Sequence, residues 1–161
     1  MSFLQEIEIL DGTVMAMNYY DSQLKDGLEF QDFCSIKFAE RGIPITNFSS
    51  KKYQIEKGEN LQGYEFKYDK QFRKTGNLWI ELAEKTDNRN PDYVNSGILR
   101  NDNTVFYIIG DYEGVFLIQK KILILMSGKY RIVENNLKTS KGILFPTEKA
   151  REYFDYIKFE K

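Results

Sequence analysis

GYEFKYDKQFRKTGNLWIELAEK, residues 63–85, contains two runs in which the character of the side chain alternates. In the first run Glu65, Lys67 and Asp69 occupy every second position, and in the second run Glu81 lies between apolar residues. A β-strand sends successive side chains to opposite faces. The stretch therefore predicts two strands, with the three charged residues of the first strand on one face.

These two strands are predicted to form a hairpin whose loop, residues 70–77, centres near Arg73. Glu65 would then lie opposite Glu81, with Lys67 and Asp69 on the same face. Like charges that face each other on a sheet are destabilising unless a cation compensates. Mg²⁺ is typically held by one or two carboxylates together with water and substrate phosphates. This set of groups favours metal-assisted phosphodiester hydrolysis, in which Lys67 holds or polarises the attacking water.

Composition limits the class of protein. The length of 161 residues fits one domain, residues 1–161, and the hydrophobic content of 42% argues against disorder. No apolar run approaches the roughly 20 residues needed to span a bilayer. The first residues, MSFLQEIEIL, carry acids where a signal peptide would be basic. We expect a cytoplasmic protein that is not inserted in a membrane.

The chain is poor in the side chains that commonly activate nucleophiles or bind transition metals. The chain has no histidine, and Cys34 is its one cysteine. This excludes Ser-His-Asp and Cys-His nucleophiles, histidine-ligated zinc, multi-cysteine metal sites and an internal disulfide. Any enzyme chemistry must depend on carboxylates, lysines, tyrosines and an oxygen-bound metal.

The remaining elements predict an α+β or mixed α/β fold. Apolar residues at near-helical spacing after Asp26 predict a helix over residues 27–41, with Cys34 in the core, and Pro146-Thr147 predicts a final helix over 147–157. The predicted strands, besides those of the hairpin, are KYQIEKGENL (52–61), TVFYIIGD (104–111), GVFLIQKKILILM (114–126) and KYRIVENN (129–136).

Four short motifs occur in a fixed order. They are E-x-K-x-D at residues 65–69, T-G-N at 75–77, I-E at 80–81 and S-G-I at 96–98. Their combination, over roughly residues 27–110, resembles small phage and prophage members of the PD-(D/E)xK nuclease superfamily. The resemblance implies a restriction-endonuclease-like core, in which helices flank a mixed sheet.

The resemblance also implies roles for the site residues. Glu65, Lys67, Asp69 and Glu81 would be catalytic, and Asp69, Glu81 and Glu65 would bind Mg²⁺ or Mn²⁺. The expected partner is nucleic acid, DNA in particular, and a homodimer is possible because nucleases of this class often pair to cut two strands.

Two departures from the family pattern leave an alternative open. No Pro-Asp precedes the motif, and Ala83 stands where a lysine would follow Glu81. Either Lys67 supplies the lysine from the neighbouring strand, or the chain is a catalytically inactive nuclease-like module that binds nucleic acid or protein. A third interpretation is a phage structural or accessory protein without a site.

A basic segment between the two strands is a candidate for nucleic-acid binding. Lys70, Arg73, Lys74 and Asn77 would contact the phosphate backbone, and Phe72 would form an aromatic tip. Residues 120–161 carry ten lysines and arginines against five acids, which is compatible with a polyanion-facing side. The alternatives are an ordinary basic turn and a mixed solvated surface.

Three further positions carry open alternatives. Glu59 could reach the site or cap a turn, and Trp79 could stack on a base or pack under the first helix. Ser96-Gly97 could approach a phosphate or simply start a strand, whereas T-G-N is predicted to be a turn.

Overall fold

A computed structural model describes the backbone of residues 3–161 and the side chains of residues 21–50 and 52–161. The helices are α1 (Phe3–Ala39), α2 (Lys51–Lys57), α3 (Phe72–Thr75), α4 (Lys120–Ser127) and α5 (Thr147–Tyr153), with a 3₁₀ turn at Gly97–Leu99. The strands are β1 (Tyr64–Tyr68), β2 (Asn77–Glu84), β3 (Val94–Asn95), β4 (Phe106–Asp111), β5 (Gly114–Gln119), β6 (Ile132–Glu134), β7 (Ser140–Pro146) and β8 (Asp155–Lys158). This mixture confirms the predicted α+β class.

The strands form two four-stranded sheets. The first sheet has the order β1-β4-β5-β8, and only its β1–β4 pair is parallel. The second sheet has the order β3-β2-β7-β6 and is antiparallel throughout. The long central strand β2 pairs with β7 over most of its length. The first sheet is therefore mixed, whereas the second is purely antiparallel.

Two apolar clusters hold these layers together. Both sheets contribute to the larger cluster, which includes Leu78 and Ile80 of β2 and Ile109 and Phe116 of the first sheet. The smaller cluster joins α1 to the first sheet through Phe30, Cys34, Phe38, Phe66, Ile108, Val115 and Phe159. Burial of this apolar surface is the main force that fixes β1 between a helix on one side and the second sheet on the other.

The predicted alternation along β1 and β2 is confirmed. Tyr64, Phe66 and Tyr68 belong to the cluster beneath α1, so Glu65 and Lys67 point to the opposite face of β1. On β2, Leu78, Ile80 and Leu82 are buried, and the alternate residues between them are only partly buried.

The predicted hairpin is wrong, because β1 and β2 lie in different sheets. The segment between them forms α3, whose first residue, Phe72, is buried in the larger cluster. Burial of this ring turns the chain away from β1, and β1 instead pairs with β4. Phe72 is 2% exposed, so its predicted role as an aromatic tip is also wrong.

Four other boundaries differ from the predictions. The strand predicted over residues 52–61 is replaced by α2 (Lys51–Lys57), in which the Ser50 hydroxyl accepts the Tyr53 N–H as a helix cap. The ILILM run lies in α4, where Leu123 is buried and Leu125 exposed. The first helix begins earlier than residue 27, and the last helix ends at Tyr153 because the chain then enters β8.

No helix in the described range, residues 3–161, combines the length and apolar character required to cross a bilayer.

Cys34 should serve as a probe of folding. Burial, and then the nearby Glu59 carboxylate, raise the pKa of its thiol, and only the thiolate is reactive. We expect a disulfide reagent to modify the native protein at least on the order of 100-fold more slowly than the unfolded chain. Denaturation in guanidinium should expose one reactive thiol per chain. Rapid and complete modification of the native protein would contradict the burial of Cys34.

Candidate functional site

A cavity of about 310 Å³ is lined by residues of both β1 and β2. Three of the four predicted catalytic residues, Lys67, Asp69 and Glu81, line it. Trp79 forms part of the wall, and the aliphatic lining comes from Ile80, Ile98 and Ile109. Although β1 and β2 are not hydrogen-bonded neighbours, the fold brings their charged side chains to one concave surface.

Lys67 is bound to the fourth predicted residue. Its Nζ lies 2.7 Å from Oε1 of Glu65, and the Lys67 side chain is 38% exposed, whereas that of Glu65 is 2% exposed. Burial lowers the pKa of Lys67, but the carboxylates of Glu65, Glu59 and Glu81 outweigh it and hold that pKa above its usual range. The neighbouring carboxylates therefore favour the charged form of Lys67.

Glu65 is the buried anchor of this lysine. Its other oxygen, Oε2, accepts a hydrogen bond from the Thr104 hydroxyl at 3.3 Å. The adjacent Tyr107 is buried, and burial, followed by the Glu65 charge, raises the pKa of its hydroxyl. Sequence reasoning assigned Glu65 to the metal, whereas the structure places its carboxylate against Lys67 and Thr104.

Glu81 is held by two serines. The Ser96 hydroxyl donates to Oε1 and the Ser140 hydroxyl donates to Oε2, each at 2.8 Å. The register between β2 and β7 shifts between Glu81 and Ala83, so a β-bulge follows Glu81 directly. Bulges commonly redirect a side chain next to a functional site. The two hydroxyls fix the carboxylate while each oxygen keeps acceptor capacity.

The backbone of β2 is approached closely by Gly97, whose φ is +49°. A Cβ placed on Gly97 would lie 2.9 Å from the Glu81 Cβ and 2.8 Å from its carbonyl carbon. The S-G pair of the S-G-I motif thus has two structural roles. Ser96 binds the Glu81 side chain, and Gly97 lets the 3₁₀ turn lie against β2.

Asp69 connects the end of β1 to the next two elements. Its Oδ1 accepts the backbone N–H groups of Gln71 and Phe72, and its Oδ2 accepts the N–H of Trp79 at 2.9 Å. These bonds orient the carboxylate at the cavity wall and tie β1 to β2. Oδ2 has one hydrogen-bond donor, which leaves it acceptor capacity toward the cavity.

Asp69 and Glu81 are the two carboxylates at the cavity that could hold a divalent cation such as Mg²⁺. Both are carboxylates fixed by outer hydrogen-bond donors, as metal-ligating carboxylates commonly are. Within residues 21–50 and 52–161, no three acidic or sulfur side chains are arranged to hold a metal ion. An ion held by these two carboxylates would need water or substrate oxygens to complete its coordination.

The predicted nucleic-acid residues have mixed surroundings. Lys70 lines the cavity and forms an ion pair with Asp26. Arg73 donates to Oδ1 of Asp111 and to the Tyr156 hydroxyl, each at 2.9 Å, so its guanidinium already has partners. Lys74 is exposed, and the Asn77 amide donates to the Thr75 carbonyl. Of the four, Lys70 is the residue placed at the cavity.

Thr75-Gly76-Asn77 is a turn, as predicted. Gly76 has a φ of +70°, and the Asn77 N–H donates to the Thr75 hydroxyl at 3.2 Å. The turn ends α3 and starts β2. It therefore sets the position of Asp69 relative to β2 and not the register of a hairpin.

The structure also defines the contacts of Glu59 and Ser140. Glu59 accepts the Phe66 N–H at 3.0 Å and the Gln31 amide at 3.3 Å, so it links β1 to α1 instead of capping a turn. Sequence reasoning missed Ser140, because a serine in TSKG gives no signal until β7 is known to pair with β2.

No protein-family model, curated protein or solved structure matches the chain. The resemblance to PD-(D/E)xK nucleases accordingly stays a prediction. The functional argument rests on the cavity and on the residues that line it.

Proposed function

We propose that the chain is a Mg²⁺- or Mn²⁺-dependent nuclease that hydrolyses phosphodiester bonds of DNA. The observation that carries this proposal is that Lys67, Asp69 and Glu81 line one cavity although Lys67 and Glu81 belong to different sheets. An ammonium group beside two fixed carboxylates could support metal-assisted phosphodiester hydrolysis without a histidine.

Each residue has a distinct role in this proposal. Asp69 and Glu81 would hold the metal, which supplies Lewis-acid polarisation of a phosphoryl oxygen when bound. Lys67 stays protonated, so it attracts a non-bridging phosphate oxygen or orients the attacking water through its N–H groups. Glu65 fixes the direction and charge of Lys67 from behind.

A catalytically inactive module that binds nucleic acid or protein is the second candidate. The hydrogen bonds of Asp69 favour it, because three backbone N–H groups already give that carboxylate a structural role. Ala83 at the family's lysine position points the same way. Such a module predicts no specific uptake of Mg²⁺.

Titration calorimetry with Mg²⁺ and cleavage of DNA, offered both as a single-stranded circle and as supercoiled plasmid, test the proposal together. We expect the wild-type protein to bind Mg²⁺ and to nick DNA. Even an outer partner of a metal ligand commonly contributes about 10–100-fold to affinity or activity. Glu81→Gln, which removes a ligand charge but keeps the shape, should therefore lower nicking by at least about 100-fold.

Glu84→Gln is the matched control. Glu84 lies on the same strand, is exposed and is paired with Arg100 at 3.2 Å, so its loss should leave nicking unchanged. Nicking that persists in both Glu81→Gln and Lys67→Met would exclude the proposed site. Absence of Mg²⁺ uptake with retained DNA binding would instead support the inactive module.

A further inference from the structure

We infer that the cavity binds single-stranded DNA with one unstacked base against Trp79, and that an intact duplex does not enter it. This inference rests on the proposed function and specifies the form of its substrate. It follows from the position of one aromatic ring, the size of the cavity and the balance of its charges.

Trp79 lines the cavity together with Asp69 and Glu81. It is partly buried, shares a face of β2 with Glu81, and donates its backbone N–H to Asp69. A Cβ on Gly142 would lie 2.9 Å from Cζ2 of the ring, so the neighbouring strand supports the indole. Bases that are free of a duplex stack on such rings irrespective of sequence.

The size of the cavity favours one nucleotide. Its volume of about 310 Å³ is at the lower end of the range for small-molecule pockets. A duplex keeps its bases inside the stack, and a base enters a pocket of this kind only after it is turned out, which requires free energy. A single strand presents an unstacked base without that cost.

The charges of the cavity make binding depend on neutralisation of the acids. Lys67 and Lys70 line it together with Asp69 and Glu81, and Lys67 is also paired with Glu65. The lining therefore offers no net positive charge to a phosphate. We expect strand binding by the wild-type protein to require a divalent ion, and by Glu81→Gln to occur without one.

Trp79 is the one tryptophan of the chain, so its fluorescence reports directly on the cavity. The probe is a short oligothymidylate, with Ca²⁺ in place of Mg²⁺ to prevent cleavage, and the comparison is a blunt-ended hairpin duplex of equal length. We expect quenching by the oligothymidylate and none by the duplex at equal concentration. Equal quenching by both would overturn the inference.

Substitution of the ring gives an independent readout by fluorescence anisotropy of a labelled oligothymidylate. Removal of a stacking aromatic typically weakens binding by about 5- to 150-fold, which we expect for Trp79→Leu. Trp79→Phe should retain most of the affinity, which also guards against misfolding of the leucine variant. The control is Tyr153→Leu, an exposed ring on α5 that does not line the cavity.

Failure of the inference and failure of the proposed function are distinguishable. Duplex nicking without any quenching of Trp79 would leave the nuclease and remove the single-strand site. In the opposite case, oligothymidylate quenches the Trp79 fluorescence of the Glu81→Gln variant, but the wild type shows no Mg²⁺-dependent cleavage. That result would support the strand-binding site and exclude the nuclease.

Discussion

Lys67→Met is expected to lower the free energy of unfolding by about 2–3 kcal/mol. The substitution leaves the Glu65 carboxylate 2% exposed without its cation, and the Thr104 hydroxyl still donates to it at 3.3 Å. Removal of one partner of a fully buried pair costs about 3–5 kcal/mol. Lys67 is 38% exposed, so water reaches the site and the expected cost lies below that range. Denaturant unfolding followed by Trp79 fluorescence measures it.

The reciprocal variant is the control for this prediction. Glu65→Met should cost less, about 1 kcal/mol, because the partly exposed Lys67 ammonium can be hydrated. The double variant Glu65→Met/Lys67→Met should recover most of the loss, since it buries no unpaired charge. Equal losses in the two single variants, or additive losses in the double variant, would show that Glu65 is not the buried anchor of Lys67.

Local periodicity predicted which side chains meet at the site. Alternation placed Glu65 and Lys67 on the face of β1 opposite Phe66, and it separated Glu81 from the buried Ile80 on β2. These assignments depend only on the period of a strand. They therefore hold although the two strands pair with other partners than those predicted.

Sheet pairing could not be predicted in the same way. β1 pairs with β4, about 40 residues further along the chain, because α3 buries Phe72 and interrupts the apparent hairpin. A four-residue helix gives almost no periodic signal in the sequence. For this reason Glu65 and Glu81 do not face each other across a hairpin as predicted. The contact of Ser140 with Glu81 could not be predicted either, because it depends on the β2–β7 pair.

The absence of a lysine at position 83 does not leave the cavity without an ammonium group. A lysine at that position would follow the β-bulge after Glu81, where the register of β2 has already shifted. Lys67 reaches the same cavity from β1 and is anchored there by Glu65. The proposed site therefore has its ammonium group without a lysine on β2.

Gly97→Ala is expected to lower the free energy of unfolding by about 3–5 kcal/mol, the sum of two effects. A non-glycine residue at a φ of +49° costs on the order of 1–3 kcal/mol. The new Cβ would also lie 2.8 Å from the Glu81 carbonyl carbon, and backbone of a paired strand cannot move aside cheaply. Forcing the 3₁₀ turn away from β2 should withdraw Ser96 from Glu81 and weaken Mg²⁺ binding by about 10–100-fold.

Gly76→Ala separates the two effects, because Gly76 has a φ of +70° but nothing within 4 Å of an added Cβ. It should lose only the conformational part, on the order of 1–3 kcal/mol, and keep its affinity for Mg²⁺. Gly42→Ala, with a φ of +78° and the same open surroundings, repeats the test far from β2. If Gly97→Ala is no more destabilising than these two variants, then the close approach of Gly97 to Glu81 does not hold the carboxylate in place. The contact between Ser96 and Glu81 would then not depend on the approach of Gly97 to β2.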